Sequence, residues 1–259
     1  MTKAVAITYT PGPDFLKSIK ATNFEIDVDS IGPEQIAIRA LSNPINPSDV
    51  SQLKGAYTAP KKQTLGTEQY NIGGNEGLFE VIKVGTNVGS ILKGTGQEFA
   101  PGDWVVTTLP GFGTWRLHVV VDVAKDAPFA PLIRIKTKGD LITLEQAATI
   151  GVNPPTALQL FENYKTFEKG KDWSIQNAGA SQVSKFLAQF AKANGVNVIS
   201  VVRGNRSNQK EINEQLLSLG VTKVITEEES QSEKFQKEIV PKWVSETGGE
   251  LKLAINAVG

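Results

Sequence analysis

The sequence predicts an α/β chain of two domains, a β-rich one followed by a doubly wound parallel sheet. Three observations carry that expectation. Short apolar or alternating runs punctuated by glycine fill residues 1–143, and strand and helix patterns alternate through 144–259. A length of 259 residues, 40% hydrophobic and 21% charged, is enough for two cores and too apolar for disorder.

In the first half, Val5 to Tyr9, Ile36 to Leu41, Gly77 to Val84 and Trp104 to Thr108 are strand-like runs bounded by Gly, Pro and Asp. Glycines from Gly73 to Gly113 recur at turn-like intervals, which suggests a compact, partly barrel-like arrangement. A helix starting near Leu144 marks the expected boundary, giving domains 1–143 and 144–259. Beyond it, Trp173-Ser-Ile-Gln-Asn-Ala is a strand and Gln182 to Asn194 a helix. Asn197 to Arg203, Lys223 to Thr226 and Leu251 to Val258 are further strands, with helices at Gln209 to Leu219 and Phe235 to Glu246 between them. Four strands are fewer than the roughly six of a complete dinucleotide-binding sheet, so the sheet is expected to be incomplete within these residues.

Composition narrows the chemistry. Lysine plus arginine equals aspartate plus glutamate at 27 each, which leaves no global electrostatic argument for a nucleic-acid or anionic-membrane partner. No stretch approaches the ~20 apolar residues of a membrane span. The amino terminus enters a strand pattern at once, with no visible signal or transit peptide. The chain has no cysteine and one histidine, His118. Disulfides and thiolate metal sites are therefore excluded, a histidine zinc site nearly so, and no metal is expected. His118 sits in an apolar run and suits a strand better than a catalytic triad.

Four segments could carry chemistry. Gln176-Asn-Ala-Gly-Ala-Ser-Gln-Val-Ser184 joins a strand to a helix, where a glycine lets backbone approach a pyrophosphate and the helix start offers free N–H groups. Ser181 and Ser184 could add hydroxyl donors there or simply cap the helix. At the end of the next strand, Arg203-Gly-Asn-Arg206 stands where an NAD-binding fold usually has an acid, and arginine suits the 2′-phosphate of NADP. Solvated loop arginines are the alternative. Gly74-Asn75-Glu76 resembles the Gly-His-Glu of zinc alcohol dehydrogenases with an amide in the ligand's place, so that zinc reading fails. Asn43-Pro-Ile-Asn46-Pro-Ser-Asp49 with Gly55-Ala-Tyr57 makes a rigid loop followed by a phenol. Tyr57 is either a packing residue or, beside a nicotinamide, a proton donor.

Taken in order, Asn43-Pro-Ile-Asn-Pro-Ser-Asp, Gly74-Asn-Glu-Gly-Leu-Phe-Glu, Gly113-Thr-Trp-Arg, Gly151-Val-Asn-Pro-Pro-Thr and Trp173-Ser-Ile-Gln-Asn-Ala resemble the fungal mitochondrial trans-2-enoyl thioester reductases. These are zinc-free medium-chain dehydrogenase/reductase proteins. The similarity continues through Val224-Ile-Thr-Glu-Glu and Leu253-Ala-Ile-Asn-Ala-Val-Gly. The resemblance implies a GroES-like catalytic domain and a Rossmann-type domain that binds NADPH. It also implies reduction of the 2,3 double bond of enoyl-CoA or enoyl-acyl carrier protein in the mitochondrial matrix, and a homodimer for the full-length protein.

By the same resemblance the catalytic tyrosine falls on Tyr57 and a cofactor-contacting asparagine on Asn153. The phosphate turn falls on Ser181, Gln182, Val183 and Ser184, and the 2′-phosphate arginines on Arg203 and Arg206. Many relatives have Arg-Asp-Arg where this chain has one residue more, Arg203-Gly-Asn-Arg206. Relatives also continue past the motif ending at Gly259, so a fragment or split chain is expected, weak or inactive alone. The rival readings are an NADPH-dependent quinone oxidoreductase and a catalytically silent NADPH-binding protein.

Overall fold

A computed structural model of the chain describes residues 1–57, 60–125, 131–135 and 142–257. The chain forms two compact units, Met1–Gly151 and Val152–Gly259.

Nine strands and four helices make up the described part of the first unit. The strands are β1 (Thr2–Tyr9), β2 (Lys20–Ile26), β3 (Gln35–Ser42), β4 (Gln63–Leu65), β5 (Glu68–Ile72), β6 (Leu78–Val84), β7 (Trp104–Thr107), β8 (His118–Asp122) and β9 (Leu132–Arg134). The helices are α1 (Phe15–Ser18), α2 (Pro47–Leu53), α3 (Val88–Ile91) and α4 (Leu144–Ala148). One sheet runs β2-β1-β5-β4 and the other β8-β3-β6-β7-β9. All pairings in both sheets are antiparallel.

The alternating apolar residues of β3, β6 and β8 explain the core. Ile36, Ile38, Phe79, Val81, Val119 and Val121 are buried together. His118 opens β8 opposite Arg39, as a strand residue. Burial, and then the Arg39 charge, push its imidazole pKa down. Helix α4 stays with this unit, because Ala147 and Ala148 are buried against Leu78 and Val106.

The second unit begins with α5 (Asn153–Glu162), followed by β10 (Trp173–Gln176), α6 (Gln182–Ala193), β11 (Asn197–Val202), α7 (Gln209–Leu219) and β12 (Lys223–Thr226). Then come α8 (Glu227–Gln231), a π-helix over Phe235–Ile239, α9 (Val240–Thr247) and β13 (Leu251–Ile255). The described strands form one parallel sheet in the order β12-β11-β10-β13. The continuous run Val198-Ile-Ser-Val-Val202 is buried throughout, as a parallel strand covered on both faces requires.

Helix α6 buries Ser184, Leu187, Ala188 and Ala191, spaced at the helical period on one face. The segment expected as one helix from Phe235 to Glu246 is divided, with a π-turn running into α9. Pro241 lies in the first turn of α9 and offers no N–H to the preceding turn, which breaks the regular ladder there. The last strand ends at Ile255. The expected extension to Val258 reaches beyond the described residues. Among the described residues no helix is long and apolar enough to cross a membrane.

Buried Asp172 joins the two ends of this unit. It accepts hydrogen bonds from the N–H groups of Glu168 and Glu250, and Lys252 Nζ lies 2.7 Å away. Burial alone would raise its carboxyl pKa, but the Glu168 N–H, Lys252 and the Glu250 N–H outweigh it and hold the group below its ordinary value. A depressed folded pKa gives stability that is complete above the unfolded value near ~4 and is lost as pH falls through the folded value. Asp172→Asn is expected to cost about 2 kcal/mol at neutral pH in urea unfolding. The gap to the parent should narrow as pH falls through the folded value, and a gap that stays constant as the pH is lowered to the acid limit of the folded state would refute the ionic origin.

Candidate functional site

In the second unit the carboxyl ends of β10 and β11 meet the start of α6. Gly179 sits where an added Cβ would lie 2.8 Å from Ser200 Cβ and 3.1 Å from the Val201 carbonyl oxygen, so only glycine lets the turn pack against β11. Ala178 before it takes φ 47°, a left-handed conformation that strains a residue with a side chain. Ser181 caps the helix, its Oγ accepting from the Ser184 N–H at 3.2 Å.

Ser184 is 2% exposed, and its hydroxyl is used within the turn, 3.1 Å from Ser181 Oγ and 3.3 Å from the Asn177 carbonyl oxygen. Ala178, Gly179, Ala180 and Ser181 line a cleft of about 270 Å³ together with Val202, Arg203, Arg206 and Glu227. Asn205 adopts φ 60°, and the turn it makes returns Arg206 to the cleft that Arg203 lines. Asparagine is a residue that tolerates this left-handed conformation.

Of the sequence-predicted positions, Ser181, Arg203 and Arg206 converge. Gln182 and Val183 form the first turn of α6 and Ser184 is buried beneath it, none of the three lining the cleft. Asn153 opens α5 and does not line it either.

Three features went unrecognised in the sequence. Gln176 is buried at the end of β10, and its Nε2 donates to the Ser184 carbonyl oxygen at 3.0 Å and to Ser200 Oγ at 2.9 Å. Asn177 bridges the loops after β10 and β13, donating to Asn256 Oδ1 at 2.6 Å and accepting from the Ala257 N–H at 2.7 Å. That is where strand order reverses, between β10 and β13. Glu227 adds a carboxylate to the arginine cleft. A polar pair ending an apolar strand, Gln-Asn after Trp-Ser-Ile, was the available signal for the first two.

In the first unit Tyr57 follows α2 and is 62% exposed. Helix α2 starts at Asn46-Pro-Ser-Asp49, where the Asn46 N–H donates to Asp49 Oδ2 at 2.7 Å. Asp49 is only 2% exposed, and its Oδ1 accepts from Asn75 Nδ2 at 2.6 Å and from the Asn75 N–H at 3.1 Å. Burial, and then the Asp49 charge, push the pKa of buried Tyr9 up. Asn46 Nδ2 donates to buried Glu76 at 2.8 Å. Asn75, in the place of a zinc ligand, is thus engaged in protein hydrogen bonds. Among the described residues no group of three His, Cys, Asp or Glu side chains gathers that could hold a metal.

No family model matches the chain. Mitochondrial enoyl acyl-carrier-protein reductase 1 of Debaryomyces hansenii is 44% identical over 261 residues, covering 98% of this chain and 66% of the relative. The chain therefore spans just under two thirds of that relative's length. The mitochondrial 2-enoyl thioester reductase Etr1p/Etr2p heterodimer from Candida tropicalis is 38% identical with a TM-score of 0.87, covering all of this chain and 70% of that one. The Etr1p/NADP/crotonyl-CoA complex gives the same identity and coverage with a TM-score of 0.86. By these similarities and the two folds described, the chain belongs to the mitochondrial 2-enoyl thioester reductases, zinc-free members of the medium-chain dehydrogenase/reductase superfamily.

Proposed function

We propose that the full-length protein, in the mitochondrial matrix, uses NADPH to reduce the 2,3 double bond of trans-2-enoyl thioesters carried on coenzyme A or acyl carrier protein. The observation that carries the cofactor half is the cleft that gathers Ser181, Arg203 and Arg206 at the carboxyl end of a parallel sheet. Two guanidinium groups suit a dianionic 2′-phosphate, and the start of α6 suits the pyrophosphate. The substrate half is supported by the relative solved with NADP and crotonyl-CoA.

When bound, NADPH would supply a hydride for the β-carbon of the enoyl group, with Ser181, Arg203 and Arg206 holding its phosphates. In this chain Tyr57 is the proposed proton donor to the α-carbon, from a phenol at the surface of the first unit. Asn153 is assigned a supporting contact to the cofactor, and Gln182, Val183 and Ser184 shape the phosphate turn through their backbone. Arg203 and Arg206 hold the 2′-phosphate and orient the nucleotide. Assembly as a homodimer is proposed as well, given that a relative is solved as a heterodimer.

The first test is NADPH oxidation with trans-2-hexenoyl-CoA by this chain and by a form extended to the length of its relatives. The extended form is expected to turn over and to lose about 10²-fold or more in kcat on Tyr57→Phe. Turnover of a quinone with no turnover of any enoyl thioester would overturn the assignment. Arg203→Ala is expected to weaken 2′,5′-ADP binding about 10- to 100-fold while leaving 5′-AMP unchanged, measured by calorimetry. Equal losses for the two nucleotides would remove the arginine from the 2′-phosphate.

A further inference from the structure

The described residues flanking Tyr57, α2 through Ala56 at the near end and Pro60 at the far end, are each tied down, and Asn75 contributes to both ties. At the near end, Asn75 Nδ2 donates to Asp49 Oδ1 at 2.6 Å and to Gln52 Oε1 at 2.8 Å. Asp49 and Gln52 are buried residues of α2. The helix then passes its position to the residues before Tyr57, since the Gly55 N–H donates to the Gln52 carbonyl and the Ala56 N–H to the Ser51 carbonyl, both at 3.0 Å. At the far end, Asn75 Oδ1 accepts from the Gly111 N–H at 2.7 Å. Gly111, at φ 76°, packs so closely on Pro60 that an added Cβ would lie 2.6 Å from Pro60 Cβ. Gln63 Nε2 ties the same loop by donating to the carbonyls of Gly111 and Phe112 at 3.1 and 3.0 Å.

We propose that Asn75 is a positioning residue for Tyr57, holding the described residues on either side of the phenol. The proposal rests on the assignment of Tyr57 as proton donor. The chemistry of the node is specific to an amide. Its nitrogen serves two acceptors while its oxygen accepts from the Gly111 N–H at 2.7 Å and from Gln52 Nε2 at 3.5 Å, and the residue's backbone carbonyl also accepts from Thr107 Oγ1 at 3.3 Å. A carboxylate at position 75 would face Asp49 with like charge and no proton between them. An imidazole has one N–H per nitrogen and cannot serve both acceptors from one atom. Neither replacement keeps all the side-chain ties of Asn75, so both loosen the described residues flanking the phenol.

A double-mutant cycle in the extended form separates positioning from general damage. Asn75→Asp is expected to lower kcat about 10- to 100-fold with KM and NADPH affinity within about twofold of the parent, as a small displacement of a reacting group would. In a Tyr57→Phe background the same change is expected to cost less than about threefold, because there is no donor left to position. Should Asn75→Asp not fold, Gln52→Leu removes a single tie, and the same cycle applies. An equal cost of either change in both backgrounds overturns the inference while leaving Tyr57 in its role. A Tyr57→Phe variant with full kcat overturns the proton-donor assignment itself, and the inference with it.

Discussion

A buried carboxylate must be given hydrogen-bond donors in place of the water it loses. Asp49 meets this requirement with N–H groups from its own helix start and from Asn75. Most of what shapes the first unit's polar site follows from that constraint. It sets the direction of α2, fixes the amide at position 75, and through the amide oxygen draws in the loop at Gly111. In a zinc-bearing relative a metal could join such segments. Here the Asn75 amide does so through hydrogen bonds with the Asp49 carboxylate, Gln52 and the Gly111 N–H.

The second unit obeys a different constraint, close approach of backbone to backbone. Gly179 admits no Cβ against Ser200 and Val201, so the turn after β10 lies flat on the next strand. Gln176 then uses its amide to bind the turn and β11 together. The left-handed residues Ala178 and Asn205 are local strains within this tightly held arrangement. Both stand beside the cleft lined by Ser181 and the two arginines. Strain of this kind persists where surrounding contacts over-determine the backbone.

The parallel sheet was legible because apolar runs such as Val198 to Val202 alternate with helical patterns, and α7 and β12 begin and end where the pattern says. Arg203 and Arg206 were legible from their place after β11. The pairing of β1 with the distant Ile72 and Asn71 was not, since long-range register leaves no mark in local periodicity. The helix α8 was missed because its signal is a capping box, Thr226 with Glu229, ahead of a polar stretch without an apolar face. The part played by Asn75 was visible only as an absence, an amide where a histidine would serve zinc. Its side-chain partners lie at positions 49 and 52, neighbours on α2, and at 111, and no spacing rule connects any of these to position 75.

The Asp172 tie also orders events in time. Strand β10 pairs with β13, and Asp172 just ahead of it bonds to residues about 80 positions later. During synthesis at roughly 5–20 residues per second, β10 therefore waits about 4–16 s for the neighbour that covers its second edge. Through that interval a buried-type strand, with Trp173 at its start, presents unpaired backbone to other chains. Within this pair the nascent chain is thus most exposed to mispairing before β13 emerges, and this is the interval in which a chaperone would have most to shield.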